Sequence, residues 1–264
     1  MKTREPTPRS EIDESKYCAS FCEKHGWFAS GLKGKSESFN SGRYFAAGCP
    51  QCAAEKRAKK NFEQSQIPPK FSEKNFENYI VSNPGQEKVL AACKNFAASV
   101  DENVRAGKGL LLIGTPGTGK THLGCSILSE AIREGKTALF TTVSKMLSKI
   151  KSTWVTGSTQ SQAQVIRSLT GVDILVLDEI GTYRTITEKE KDLLFEIINE
   201  RYEQMRSTIF ISNLNLSGPE SIEEYLEECI MDRLCEQSKI LIFNWKSYRR
   251  QEEKRRNSEG KLDD

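Results

Sequence analysis

Residues 110–123 read LLLIGTPGTGKTHL: four apolar residues run into a glycine-rich loop that ends in Lys120 and Thr121. Glycine gives up more chain entropy on ordering than any other residue, so such a loop belongs where bare backbone is required. GTPGTGKT matches the pattern G-x-x-x-x-G-K-[ST]; it leaves a predicted strand and opens a predicted helix over Thr121–Arg133. In that setting Gly114, Gly117 and Gly119 let backbone N–H groups approach phosphate oxygens, and the helix N-terminus adds partial positive charge. Lys120 is placed to reach the β- and γ-phosphates, and the Thr121 hydroxyl suits Mg²⁺. The expected cradle is Gly114, Thr115, Pro116, Gly117, Thr118, Gly119, Lys120 and Thr121, followed by His122. The sequence has no Asn-Lys-x-Asp segment of the kind that reads guanine, so ATP is the expected nucleotide.

Outward from the loop, short apolar runs alternate with helical patterns from about Phe71. The strand candidates are GLLLIG (109–114), TALFTTV (137–143), DILVLDEI (173–180), STIFISNL (207–214) and KILIFNW (239–245). Near-continuous apolar strands separated by helices indicate an α/β fold, a parallel sheet flanked by helices in three layers. The third candidate ends in two adjacent carboxylates. Asp178 is expected to hold Mg²⁺, directly or through water, and Glu179 to polarise the attacking water. The fourth ends in Ser212 and Asn213, a polar strand end beside the γ-phosphate; an Asn there is by itself more often a turn former.

The chain has 264 residues, with 39 Lys and Arg against 36 Asp and Glu, so its net charge of +3 names no class of partner. No run of eighteen apolar residues exists and the first residues are polar, so a protein that neither spans a membrane nor carries an export signal is expected, in the cytoplasm. In that reducing compartment clustered cysteines read as metal ligands. Cys22-x-x-His25-Gly26 and Cys49-x-x-Cys52 are two turn-sized pairs, each suited to half of a tetrahedral Zn²⁺ site, with Cys18 as an alternative fourth ligand. So short a segment buries too little to fold unaided. Cys93, Cys125, Cys229 and Cys235 show no pairing logic and read as structural thiols.

The expected organisation is a disordered polar stretch over 1–16, a zinc-binding segment over 17–53 and a basic helix with linker over 54–70, stopped by Pro68 and Pro69. A nucleotide-binding domain over 71–250 and a fraying charged tail over 251–264 complete it.

The phosphate loop, LDEIG, ISN, MDRL and FNWKSYR occur in the order and spacing of the DnaC-type replicative helicase loaders, a branch of the AAA+ ATPases. FENYIV (76–81) resembles the segment that opens their ATPase domain, and the resemblance covers roughly residues 71–250. It implies a P-loop AAA+ fold, ATP hydrolysis, self-assembly, a DnaB-type replicative DNA helicase as partner, and single-stranded DNA. Position by position it makes Asn213 the sensor-1 residue, Arg233 an arginine finger for a neighbouring subunit, and Arg249 the sensor-2 arginine. The N-terminal cysteines depart from the helical N-terminal domain of the best-known loaders.

VSKMLSKIKSTW (143–154) carries Lys145, Lys149, Lys151 and Trp154. An amphipathic helix with Met146, Leu147 and Ile150 buried accounts for the pattern, and the same lysines beside an aromatic suit single-stranded DNA. Two other functions fit the same motifs. One is a transposition helper ATPase of the IstB type, binding duplex DNA and a transposase. The other is a zinc-dependent adaptor that uses ATP as a slow conformational switch.

Overall fold

The computed structural model describes residues 8–13, 17–32, 48–182 and 186–259, and the chain divides into two compact units at Lys60/Asn61. The first unit opens with a hairpin, β1 (Tyr17–Cys22) and β2 (Gly26–Leu32), in which Phe21 faces Trp27 and Cys22 faces Gly26. Gly26 has φ +79, a left-handed conformation that a β-carbon disfavours, and it closes the Glu23–His25 turn. Helix α1 (Pro50–Gln64) begins with a proline, whose missing N–H costs nothing in a first turn, and so starts four residues before the sequence reading placed it. Cys52 therefore lies in its first turn. Within the stretch read as disordered, Arg9–Glu11 form one turn of 3-10 helix and the Arg9 guanidinium sits 4.6 Å from the Trp27 ring centre.

In the second unit Asn83 caps α2 (Pro84–Ala98) by accepting from the Gln86 N–H, and α3 (Val100–Arg105) follows. Five parallel strands then alternate with helices, and all five match the runs read from the sequence. They are β3 (Gly109–Gly114), β4 (Ala138–Thr142), β5 (Ile174–Ile180), β6 (Ser207–Ser212) and β7 (Ser238–Phe243). Between them run α4 (Lys120–Arg133), α5 (Val143–Lys151), α6 (Gln162–Thr170), α7 (Glu188–Glu203), α8 (Ile222–Leu226) and α9 (Glu228–Gln237). The strand order is β4-β5-β6-β3-β7. The chain leaves β3 toward one side and returns to its other side at β7, so the crevice at the carboxyl ends of β3 and its neighbours is the switch point where α/β sheets bind ligands.

Helices cover the sheet, which is why the middle of each strand is an apolar run, with polar residues at the strand ends and exposed positions confined to the edge strand β7. Leu111, Ile113, Leu175 and Leu177 pack with Met146, Leu147 and Ile150 of α5, Ile197 of α7 and Leu234 of α9. Gly124 of α4 lies against Val176 and Ile211 on the other face. Arg201 on α7 is 1% exposed and, among the described residues, forms no ion pair with a carboxylate. It donates to the carbonyl oxygens of Leu169 (2.8 Å), Thr170 (3.2 Å), Val172 (3.0 Å) and Ser207 (2.5 Å) and to Thr208 Oγ1 (2.9 Å), tying the end of α6 to the start of β6. Burial lowers its pKa to about 9.

Past the sheet, the tail does not fray at 251: α10 runs over Tyr248–Glu259. Among the described residues no helix is long and apolar enough to cross a membrane.

Candidate functional site

Strand β3 ends in Gly114 and α4 begins at Lys120, so the intervening loop sits at the carboxyl edge of the sheet. Gly114 (φ +130), Gly117 (φ +78) and Gly119 (φ +98) all occupy backbone that side chains avoid, and the surroundings demand bare backbone as well. A β-carbon on Gly117 would lie 2.1 Å from Ser247 Oγ, and one on Gly119 would lie 2.6 Å from the Tyr79 ring. Lys120 is 5% exposed, and its Nζ donates to the carbonyl oxygens of Gly114 (2.6 Å) and Thr115 (2.8 Å). Burial pushes its pKa down to about 8, with Asp178 acting against the shift and Arg249 with it. That electrostatic effect brings Arg249, on the first turn of α10, into the field of the loop lysine.

Thr121 Oγ1 donates to Asp178 Oδ2 at 2.8 Å, joining the helix to the end of β5. Burial raises the Asp178 pKa, opposed by the Thr121 hydroxyl and the Glu179 N–H. Glu179 has φ +63, and the pairing of β5 with β6 shifts register between Leu177 and Ile180. A non-glycine residue in the left-handed region stores strain of order 1–3 kcal/mol, typical of functional positions. Asp178 and Glu179 thereby have no partner in β6, although Asp178 still pairs with Thr142 of β4. Asn213 follows Ser212, which pairs with Ile113, so it stands abreast of Gly114 and is exposed.

The loop is clamped from two sides by segments whose contact with it the sequence did not reveal. Tyr79 Oη (3.2 Å) and Trp245 Nε1 (3.0 Å) both donate to the Thr118 carbonyl. The Tyr248 N–H donates to the Gly117 carbonyl at 2.9 Å, and Thr115 Oγ1 donates to the Trp245 carbonyl at 3.2 Å. FENYIV and FNWKSYR, which carried the resemblance, thus meet on the phosphate loop. His122 turns the same way: its Nε2 lies 2.8 Å from the Asn75 carbonyl and its ring stands edge-on to Tyr79 at 5.3 Å.

Arg233 lies elsewhere. With Gly109, Thr208 and Ser238, the residues at the amino ends of β3, β6 and β7, it lines a shallow pocket. Its guanidinium is 5.5 Å from the Tyr202 ring centre and donates to Asn199 Oδ1. Six residues of strand separate the two sheet edges by about 17 Å, so Arg233 is out of reach of its own loop.

In α5, Met146, Leu147 and Ile150 are buried as the sequence predicts. Trp154 is 54% and Val155 67% exposed, Lys145 is exposed, and Lys151 pairs with Glu190 at 2.6 Å. Cys93 and Cys125 are buried thiols, Cys93 pushed up to about 12 by burial, whereas Cys229 and Cys235 are exposed on α9 rather than packed.

In the first unit Cys22, His25, Cys49 and Cys52 converge, their ligand atoms all within 4.8 Å of one another. Cys22 Sγ lies 3.7 Å from Cys52 Sγ, and His25 Nδ1 lies 3.7, 3.5 and 3.4 Å from the sulfurs of Cys22, Cys49 and Cys52. Tetrahedral Zn²⁺ with ordinary bond lengths separates two sulfurs by about 3.8 Å and a sulfur from a nitrogen by about 3.5 Å. The donor set fits. Desolvation resists ionisation of Cys22, but the backbone N–H groups of Lys24 and His25 and the side chains of Cys52 and His25 hold it at about 6. His25 Nε2, on the far side of the ring, lies 3.2 Å from Glu55 Oε1, the outer carboxylate that commonly orients a metal-bound imidazole. No sequence spacing announced Glu55. The Cys18 side chain lies outside the described residues.

A family described as IstB-like ATP binding protein matches residues 53–256. The replicative helicase loader DnaC of Escherichia coli strain K12 is 36% identical over 194 residues, covering 73% of this chain and 76% of that protein. The replicative helicase loader DnaC of Buchnera aphidicola subsp. Schizaphis graminum is 37% identical over 175 residues, 66% of this chain and 68% of the relative. Among solved structures, the DnaC helicase loader superposes with a TM-score of 0.59 at 24% identity, over 67% of this chain and 99% of that one.

Proposed function

This chain belongs to the IstB-like ATP-binding family, and on that premise we propose that it is an ATP-hydrolysing loader. It delivers a hexameric, DnaB-type replicative helicase onto single-stranded DNA at the initiation of replication. The observation that carries the reading is the crevice at the carboxyl edge. There Lys120, Thr121, Asp178 and Glu179 converge beneath two clamping segments, in a chain that aligns with replicative helicase loaders over most of its length.

The N–H groups of the loop and the Lys120 ammonium hold the phosphates of ATP, and the 76–81 and 243–249 segments keep the loop in shape from outside. Thr121 and Asp178 would hold Mg²⁺, which supplies charge neutralisation at the β- and γ-phosphates. Glu179 accepts a proton from the attacking water, held toward the crevice by its left-handed backbone. Asn213, at the next strand end, orients that water, and Arg249 adds positive charge beside Lys120. Arg233 acts on the ATP of a neighbouring copy, a role consistent with its place at the opposite sheet edge from its own loop. The cluster of Cys22, His25, Cys49 and Cys52 would hold one Zn²⁺, which supplies a cross-link for a unit with almost no core.

The family's description favours one other reading, an IstB-type helper that binds duplex DNA and a transposase. Affinity capture with the cognate replicative helicase and transposase separates the two: the loader reading expects the helicase, and recovery of a transposase alone overturns it. The trans role of Arg233 has its own test. Arg233→Ala is expected to bind ATP without hydrolysing it, and mixing it with Lys120→Ala, with helicase and single-stranded DNA present, restores part of the activity. No recovery across mixing ratios, with co-assembly demonstrated, removes Arg233 from the mechanism.

A further inference from the structure

Arg233 is held by neutral groups. Its Nη1 donates to Asn199 Oδ1, and its guanidinium carbon lies 5.5 Å from the centre of the Tyr202 ring. Among the described residues it forms no ion pair, although Glu236 stands one turn further along α9 on the same face. Arg206, at the same edge of the sheet, shows the common alternative and pairs with Asp173 at 3.1 Å. A guanidinium carries five N–H donors in a fixed fork, and Asn199 uses one of them. The side chain is only half-buried, so the other donors keep access to solvent.

Tyr202 accounts for the missing ion pair. Asn199 and Tyr202 are three residues apart on α7 and share a face, as Arg233 and Glu236 do on α9. The Tyr202 hydroxyl donates to Glu236 Oε2, and the Tyr202 carbonyl accepts from Gln237 Nε2 at 3.4 Å. The carboxylate that could neutralise Arg233 is thus engaged by the phenol, and the same hydrogen bond raises the Tyr202 pKa, so the proton stays in place. An arginine that served only to join α7 to α9 would gain more from that carboxylate than from an amide oxygen and a ring, because hydrogen bonds between charged partners are the stronger ones. Held as it is, the guanidinium keeps its charge for an anion.

We propose that Asn199 and Tyr202 are positioning residues for Arg233: the amide aims the guanidinium, and the tyrosine supports it while keeping Glu236 away. The inference rests on the trans role of Arg233 and assigns the residues that prepare it for a neighbour's ATP. A long side chain that must be ordered before it can act costs rate, and misplacing a reacting group by about 1 Å can cost about 10²-fold. Asn199 and Tyr202 act through Arg233 and need not touch the nucleotide.

The full chain is assayed for ATP binding and hydrolysis with helicase and single-stranded DNA present. Asn199→Asp sets a carboxylate on the guanidinium, and Tyr202→Phe releases Glu236 to do the same; both changes are nearly isosteric. Each variant is expected to bind ATP as the wild type does and to hydrolyse it about 10- to 100-fold more slowly. Adding Glu236→Gln to Tyr202→Phe is expected to restore most of the rate, since no carboxylate is then left to draw Arg233 away. Mixing separates positioning from a defect in the variant's own site. Each single variant is expected to recover with Lys120→Ala, which supplies an intact finger, and not with Arg233→Ala, which lacks one. Wild-type turnover by either variant, recovery with Arg233→Ala, or recovery with neither partner overturns the inference and leaves the trans role of Arg233 standing. Failure of Arg233→Ala and Lys120→Ala to complement each other, with co-assembly demonstrated, overturns both.

Discussion

The two units of this chain are held together by different materials. In the first, Cys49 is the one buried hydrophobic side chain among the described residues, and four donor atoms converge in its place. In the second, a sheet buried on both faces excludes water from dozens of apolar side chains. The difference follows from size: a chain of a few dozen residues has too little interior to offset its conformational entropy by burial alone. A unit that depends on four atoms is expected to fail all at once, and a unit that depends on a core to weaken in increments.

The largest expected effect breaks the comparison if it does not appear. Structural zinc contributes on the order of 10 kcal/mol in small domains, so chelation or Cys49→Ser is expected to unfold the hairpin completely. Elemental analysis is expected to find one zinc per chain. Limited proteolysis then cuts within 17–53 while the thermal transition of the ATPase unit stays where it was. A metal-free hairpin that resists protease would return its stability to ordinary packing.

Next in size is the chemistry at the carboxyl edge of the sheet. Glu179→Gln is expected to bind ATP normally and to lose hydrolysis by about 10²- to 10⁴-fold, the usual worth of a positioned proton acceptor. Lys120→Ala is expected to lose binding as well. Both are expected to keep their zinc, since neither touches the first unit. A Glu179→Gln chain that turns over at the wild-type rate would remove the carboxylate from its assigned place.

Arg201 sharpens the comparison from the side of the core. Arg201→Leu leaves several buried carbonyls unpaired and is expected to cost about 3–5 kcal/mol, since each orphaned group costs about 1–3. For a unit of this size that is roughly a 10 °C drop in Tm. Zinc content is the control and is expected to hold. A Tm within a degree of wild type would show that water replaces the guanidinium at no cost.

The smallest effect is a pH dependence. Burial lowers Lys120 to about 8 in the free protein, and a phosphate beside the ammonium raises it again. ATP binding therefore takes up a proton above that value, and affinity is expected to fall about tenfold between pH 7 and pH 9. Titration calorimetry in buffers of different ionisation heat measures the uptake, and no uptake at pH 8.5 would contradict the depressed value.

Local patterns were legible where chemistry and chain geometry coincide over a few residues. GTPGTGKT, the apolar runs and the two Cys and His pairs are each readable locally, because a strand buried on both faces is near-continuously apolar and a tight metal knuckle needs closely spaced ligands. Boundaries were less legible. The basic helix read from residue 54 starts at Pro50, and the charged tail reads as frayed yet is helical to Glu259, because a helix start tolerates proline and a polar helix has no period to detect.

By itself the sequence determined the class of fold, the place of the phosphate loop in it, the acid pair and three side chains of the Cys and His cluster, with the fourth left between Cys18 and His25. Only the tertiary structure decided which distant residues meet. Tyr79 and Trp245, 166 positions apart, share the Thr118 carbonyl; Glu55 finds His25; Arg201 is stripped of water; and Arg233 stands at the far edge of the sheet from Lys120. A hydrogen-bond donor, a carboxylate or a guanidinium carries no mark along the chain of whether its partner will be water or protein. That choice is made when the strands take their order, and with it the edge at which each side chain emerges.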